Sequence, residues 1–384
     1  MSITPAAPQT QRKWTILVYS AGDNNLHDFL VTNLDDAEKV GSTDSVAVVS
    51  QLDHGGSAGA ERLFIQKDNQ PGLHSQQVEQ LGDVDMASPD TLSEFVQWGM
   101  KNYPAEHTMV IISDHGNGWR GAVEDAGHGT WMKLEDIEEG LKKARTATGK
   151  PLDVLGFDAC LMASAEVAHQ LKDEAKYLVV SQEVEGGEGW PYTRVLSENL
   201  LSGLQAQLAT RNNLDAREFA IYCVNAAAST PKVIPTISAI DSAQVPALTT
   251  AVKGFADAIV ATPARTGQMR KAARGTQSFY DYKDLTDFAQ RVANNPKIAD
   301  ANLKQAANSV TAAVSNAVIA ERHSPSYPGA HGLTIELGNY FFSPNREYRD
   351  LGFSQQSGWD KALDRLGTYW FWPTPLTESA EAHH

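Results

Sequence analysis

Short apolar runs alternate with amphipathic stretches through the first half of the chain. Trp14 to Tyr19 forms a compact β-branched and aromatic run. Small residues follow it, then Asp23 and Asn24 as cap candidates, then Leu26, Phe29, Leu30 and Leu34 at helical spacing. SVAVVSQLD reads as a second buried strand and ERLFIQ as a third, at an edge or in a hairpin. SPDTLSEFVQWGMKNY opens with a Ser88 cap and Pro89 at the first helical position, which predicts a helix. HTMVIISDHGNGW is a strand that ends in a Gly-rich turn, and KLEDIEEGLKKARTATG is a helix that stops at Gly149. LDVLGFDAC, LMASAEVAHQL and AKYLVVSQE repeat the order strand, helix, strand. The strands are almost continuously apolar, as expected where both faces of a sheet are covered. That pattern predicts an α/β three-layer sandwich with a mostly parallel sheet.

The second half differs. Residues 205–325 are Ala-rich and helical in pattern, with a strand-like break at KVIPTISAID. GLTIELGNYFF reads as a strand returning to the sheet, and YRDLGFSQQSGWDKALDRL as a closing helix. The pattern divides the chain into an arm (1–12), an α/β core (13–204), a helical subdomain (205–325), a C-terminal strand and helix returning to the core (326–374) and a tail (375–384).

The 384 residues can bury a large core, and 42% hydrophobic with 21% charged residues fits a globular protein. No apolar run reaches membrane-spanning length, and MSITPAAPQTQRKW lacks the apolar centre of a signal peptide, so a cytoplasmic protein without a membrane partner is expected. The formal charge of −15 argues against nucleic acid as a partner and is compatible with cationic ligands. There are only two cysteines. Cys223, in the apolar stretch EFAIYCVNAAA, reads as a small buried hydrophobe. Cys160 does not: it stands where a strand gives way to a helical pattern, two residues after Asp158.

Ligands of parallel sheets bind at the carboxyl ends of strands, which gathers Ser20 to Asn25, Asp114 to Trp119 and Asp158 to Cys160 at one rim. His115 and Cys160 each follow a buried strand, so they can meet there although far apart in sequence. A Cys–His pair is the minimum unit for acyl transfer: the thiolate attacks a carbonyl and the imidazole handles the protons. The N–H groups of Gly116 and Cys160 are candidate donors to the oxyanion. A helix beginning just after Cys160 would lower its thiol pKa through the helix dipole. Asp158 would oppose that effect, and its better use is at the base of a pocket, pairing with a substrate Arg or Lys.

WTILVYSAGDNNL, LGDVDMASPDTLSEFVQW, DHGNGW, GFDACLMASAEVA and SQEVEGGEGWPY occur in the order found in the clostripain-like cysteine peptidases, relatives of caspases, gingipains and legumains, which the chain resembles over most of residues 13–192. GLTIEL and YRDLGFSQQSGW extend the match more weakly. The resemblance implies a caspase-like sandwich with an added helical C-terminal region, and endopeptidase activity on protein or peptide substrates with a basic residue at the cleavage site. His115 and Cys160 match the dyad and Asp158 the acid of the specificity pocket. Ser181 to Trp190 matches a pocket-wall segment, with Glu183, Glu185 and Glu188 as its acids and Trp190 at its end. Some members mature by cutting after a basic residue in the loop following the His. Residues 121–132 contain no Lys or Arg, and Arg120, Lys133, Lys142, Lys143 and Arg145 lie in the turn or in and beside a helix, so autoprocessing in that loop is not expected. No cofactor is required; EVEGGEGW could take up calcium through oxygen ligands, or be a solvated acidic loop.

A zinc site built from His54, His115 and His128 with Asp53 is the rival chemistry, without HExxH or paired-Cys spacing behind it. GDNN and GNGW match no phosphate-binding fingerprint. Two further readings remain open from sequence: a component of a larger assembly gated by an activating partner, with the helical second half as interface, and a silent binding module, which the intact Cys and His disfavour.

Overall fold

A computed structural model of the chain describes residues 12–196, 215–338 and 344–367. Five parallel strands form its centre, in the spatial order β9 (Ala175–Val180), β8 (Leu152–Asp158), β5 (Ala105–Ser113), β1 (Arg12–Ser20) and β2 (Val46–Asp53). Beyond β2 the sheet continues with antiparallel β3 (Ala60–Phe64) and β4 (Gln76–Gly82). Beyond β9 it continues with antiparallel β10 (Thr236–Asp241) and β13 (Val318–His323).

The continuous apolar runs are explained by the pleat, which sends alternate side chains to opposite faces. Leu17, Tyr19, Val110, Ile112, Leu155 and Phe157 enter one apolar cluster, whereas Ile16, Val18, Met109, Ile111 and Val154 enter the other. Helices α2 (Pro89–Asn102), α3 (Leu134–Thr148) and α4 (Ala165–Leu171) cover the first face, and α1 (His27–Glu38), α5 (Tyr192–Val195) and α6 (Ala216–Ala227) the second. The result is a three-layer α-β-α sandwich. Ser88 caps α2 by accepting the Asp90 N–H, as the sequence indicated. Cys223 is fully buried on α6, where burial pushes its thiol up to about 12.

In the second half, α7 (Val245–Ala261), α8 (Thr266–Gly275), α9 (Leu285–Ala293) and α10 (Ala301–Ala317) extend the first-face cluster, joined by α11 (Arg346–Asp350), α12 (Gly352–Ser357) and α13 (Trp359–Leu366). The strand-like break is β10, and β13 joins it in the central sheet. GLTIEL does not return to that sheet. Its strand, β14 (Thr334–Glu336), pairs with β12 (Tyr282–Asp284), itself paired with β11 (Ser278–Phe279), because β10 and β13 already occupy the edge beyond β9. Two elements carry no clear sequence signal: β4, a polar and largely exposed edge strand, and the hairpin β6 (Ala122–Asp125) and β7 (Thr130–Met132). Among the described residues no helix is long and apolar enough to cross a membrane.

Candidate active site

Strands β5 and β8 pair in register through Ser113 and Asp158, so His115 and Cys160 each stand two residues beyond the last rung. The Asp114 N–H donates to the Asp158 carbonyl at 3.3 Å, which continues the ladder into the turns. Gly116 then lies directly against Cys160. A Cβ there would overlap the Cys160 carbonyl oxygen and stand 3.0 Å from its nitrogen. Only a residue without a side chain lets these two backbones touch.

The His115 turn is tied down from several sides. Asp114 is buried and accepts from the Asn24 amide at 2.9 Å and the Glu124 N–H at 2.7 Å; burial raises its carboxyl to about 8. The Val123 N–H donates to the His115 carbonyl at 3.1 Å, and Val123 holds φ at +72°, costly for a β-branched residue. The imidazole is one-third exposed, with Nε2 2.7 Å from Asn25 Oδ1 and 3.9 Å from the Glu124 carboxylate. With the Asn25 oxygen as acceptor, Nε2 carries the proton and Nδ1 keeps a lone pair.

Cys160 is partly buried, with Sγ 3.8 Å from the Glu185 carbonyl. The expected helix dipole is not at hand. Helix α4 starts only at Ala165, with Ser164 as its cap, because the chain turns at Cys160 and Leu161 and is then tied to the segment after β9: Leu161 N–H bonds the Glu183 carbonyl and Ala163 N–H the Ser181 carbonyl. Leu161 sits at φ +67°, so non-Gly residues in a left-handed conformation occur in both arms of the candidate dyad. Burial pushes the Cys160 thiol above its ordinary value, and the Asp158 and Glu183 charges add to the rise.

Asp158 is 5% exposed beneath this pair. It accepts from Ser113 Oγ at 3.1 Å, the Tyr192 hydroxyl at 3.1 Å and the Trp190 N–H at 3.0 Å. Burial raises it to about 6, the hydrogen bonds opposing. Of the three glutamates, Glu185 is the one turned inward: it is buried, and neither oxygen has a hydrogen bond of ordinary geometry. Burial raises it well above the carboxylate range, and Asp158 and Cys160 close by raise it further. The two buried acids thus oppose each other's ionisation, Glu185 being the one pushed further from the ordinary carboxylate range. Glu183 instead accepts the Val184 N–H at 2.8 Å, and Glu188 is exposed. Trp190 does not form an open wall. It is 1% exposed and packs on Gly156 in the core, so its contribution here is its backbone N–H on Asp158.

The acids of EVEGGEGW thus point in different directions. The compact His and carboxylate groups found among the described residues are Glu38–Asp68–His74 and Asp85–Asp125–His128. The histidines of the zinc alternative keep separate partners: His54 bonds His27 and Glu61, and His128 bonds Asp125. Sequence reasoning missed Asn25, Ser113 and Tyr192 as site residues. GDNN at the end of β1 was the available signal for Asn25; Tyr192 closes the SQEVEGGEGWPY block, but nothing in that block shows that its hydroxyl reaches Asp158, which only the fold decides.

The clostripain family model, Peptidase C11, matches residues 18–370. Clostripain of Hathewaya histolytica is 24% identical over 224 residues, covering 48% of this chain and 41% of that protein, so the match spans less than half of its length. A secreted C11 cysteine protease from Bacteroides thetaiotaomicron, solved with an irreversible peptide inhibitor, aligns with TM-score 0.68 at 20% identity over 91% of this chain and 99% of that one. An inactive zymogen C11 protease from Parabacteroides distasonis aligns with TM-score 0.67 at 18% identity over 92% and 99%. The cytoplasmic location expected from sequence is overturned: the Bacteroides relative is described as secreted, and the lack of a long apolar helix among the described residues does not fix a compartment. With the family model running from β1 past the last described helix, and the sandwich shared with solved relatives, the chain belongs to the clostripain family of cysteine endopeptidases, with a caspase-like fold.

Proposed function

We propose that the protein hydrolyses peptide bonds after Arg or Lys through a Cys160–His115 dyad. The observation that carries this reading is the contact of the Gly116 and Cys160 backbones just beyond the last paired rung, Ser113 and the buried Asp158. A substrate guanidinium or ammonium enters toward Asp158 and Glu185, where it meets a desolvated carboxylate and a second acid with unpartnered oxygens. His115 Nδ1 takes the Cys160 proton, and the sulfur attacks the scissile carbonyl carbon. The N–H groups of Gly116 and Cys160 hold the oxyanion. The imidazolium gives its proton to the leaving amine, and water, deprotonated by the same imidazole, releases the acid product. The raised thiol favours a second, compatible reading: a resting enzyme whose nucleophile ionises fully only when substrate or an activating partner reorganises the pocket.

Fluorogenic peptides that vary only the residue before the scissile bond, assayed in reductant with and without calcium, test the proposal. Turnover confined to Arg and Lys is expected. Cleavage after Asp or Asn defeats the specificity reading, and no turnover of any peptide favours the gated one.

A further inference from the structure

The turn that carries His115 is not held by the α/β core alone. Past His115 the chain makes a tight turn, Asn117 to Gly121, and the second half of the protein grips it. The Tyr282 hydroxyl, on β12, donates to the Asn117 carbonyl at 2.9 Å and accepts from the Trp119 N–H at 3.2 Å and from Arg120 at 3.3 Å. Gly118 packs so closely on it that a Cβ would overlap that hydroxyl. Glu336, on β14, accepts the Trp119 indole N–H at 2.7 Å and lies 3.6 Å from the Arg120 guanidinium. Tyr282 is 1% and Glu336 8% exposed, so these bonds are made away from water.

The same strand reaches the other arm of the site. Thr334, at the start of β14, bridges Ser164 and donates both its N–H and its hydroxyl to the Ala163 carbonyl, at 2.8 and 3.0 Å. Ala163 is three residues past Cys160, and Trp119 four past His115. One three-residue strand therefore touches both arms. It is fixed from behind by Glu166, which accepts the Glu336 N–H at 2.9 Å and the Tyr348 hydroxyl at 2.8 Å, and by Trp359, whose indole N–H donates to the Glu336 carbonyl at 2.6 Å.

We propose that Glu336 and Tyr282 are positioning residues for catalysis: β14 is a splint across the two turns, and these side chains set where the His115 turn stands relative to Cys160. This rests on the dyad reading above. Neither residue touches substrate. Tyr282 acts through Asn117, Trp119 and Arg120, and Glu336 through Trp119 and Arg120, so the splint gives the second half of the chain a positioning role at the site.

The test uses Glu336→Gln and Tyr282→Phe in the full chain, beside His115→Ala. Each splint variant is expected to lose about 10- to 100-fold in kcat, as a sub-ångström to ångström misplacement does, with KM within about twofold. The second readout is the pH dependence of Cys160 alkylation by iodoacetamide. On the dyad reading His115 supports the thiolate, so a displaced His115 turn moves the profile to higher pH, toward that of His115→Ala. Unchanged kcat and an unmoved profile in folded variants overturn the proposal. So does a lower melting temperature with both readouts unchanged, or loss of folding in both variants, since either leaves a purely structural role. If His115→Ala itself retains kcat and profile, the dyad reading fails, whatever the splint variants do.

Discussion

Replacing Asp158 with Asn tests stability and selectivity together. The carboxyl is buried and raised to about 6 in the folded chain, against about 3.9 for an unperturbed Asp. A raised acid destabilises the fold once pH climbs past the unfolded value: wild-type stability is unpenalised below about pH 4, falls through pH 4 to 6, and is level above that. The full penalty is about 3 kcal/mol. Asn mimics the protonated form, keeping the Trp190 N–H as donor while the Ser113 and Tyr192 hydroxyls rotate to accept from its amide. Asp158→Asn should therefore be no more stable than wild type near pH 4 and more stable by up to about 3 kcal/mol at pH 8. Urea unfolding across that range measures it. The same charge is the proposed partner of a substrate Arg. Losing a hydrogen bond to a charged group is worth about 1.5–3 kcal/mol, or roughly 10- to 150-fold in the kcat/KM ratio of an Arg substrate to its neutral citrulline isostere. Removing the Asp158 charge also relieves Glu185, whose ionisation Asp158 suppresses, so some selectivity should survive until Glu185→Gln is added. An Arg-to-citrulline ratio unchanged in the double variant, or a single variant less stable than wild type at pH 8, would refute the reasoning.

Three further outcomes are expected. Cys160→Ala should abolish turnover and leave unfolding free energy within about 1 kcal/mol, read by peptide assay and urea titration, since only a partly buried sulfur is removed. Gly116→Ala should cost about 1–3 kcal/mol and about 100-fold in kcat/KM, because the new methyl pushes the His115 turn off the Cys160 carbonyl; wild-type kinetics would show that the contact is not needed. Asp153 is held down at about 2, burial being outweighed by His107, Lys176 at 2.8 Å and the Thr108 N–H at 2.9 Å. Its stabilisation, about 2.6 kcal/mol, is present above about pH 4 and lost as pH falls toward 2, so Asp153→Asn should flatten the acid limb of the stability curve.

The sequence by itself determined the central sheet and the end of it at which His115 and Cys160 stand. Strands buried on both faces must be apolar throughout, and a parallel sheet must place His115 and Cys160 at the same end, so local pattern and one topological rule sufficed. Ser88 and Pro89 likewise announced α2, because caps are local. The tertiary structure decided everything that depends on which distant segments meet. It alone selected Glu185 from three glutamates, since burial is a property of the loop's packing and not of the residue. It put Trp190 into the core, left Cys160 without a helix end behind it, brought Tyr192 to Asp158, and sent GLTIEL to a small sheet between the two turns. Hydrogen bonds between residues separated by more than two hundred positions, as between Trp119 and Glu336, leave no periodic trace in a chain, because neither partner's neighbours need to change to accommodate them.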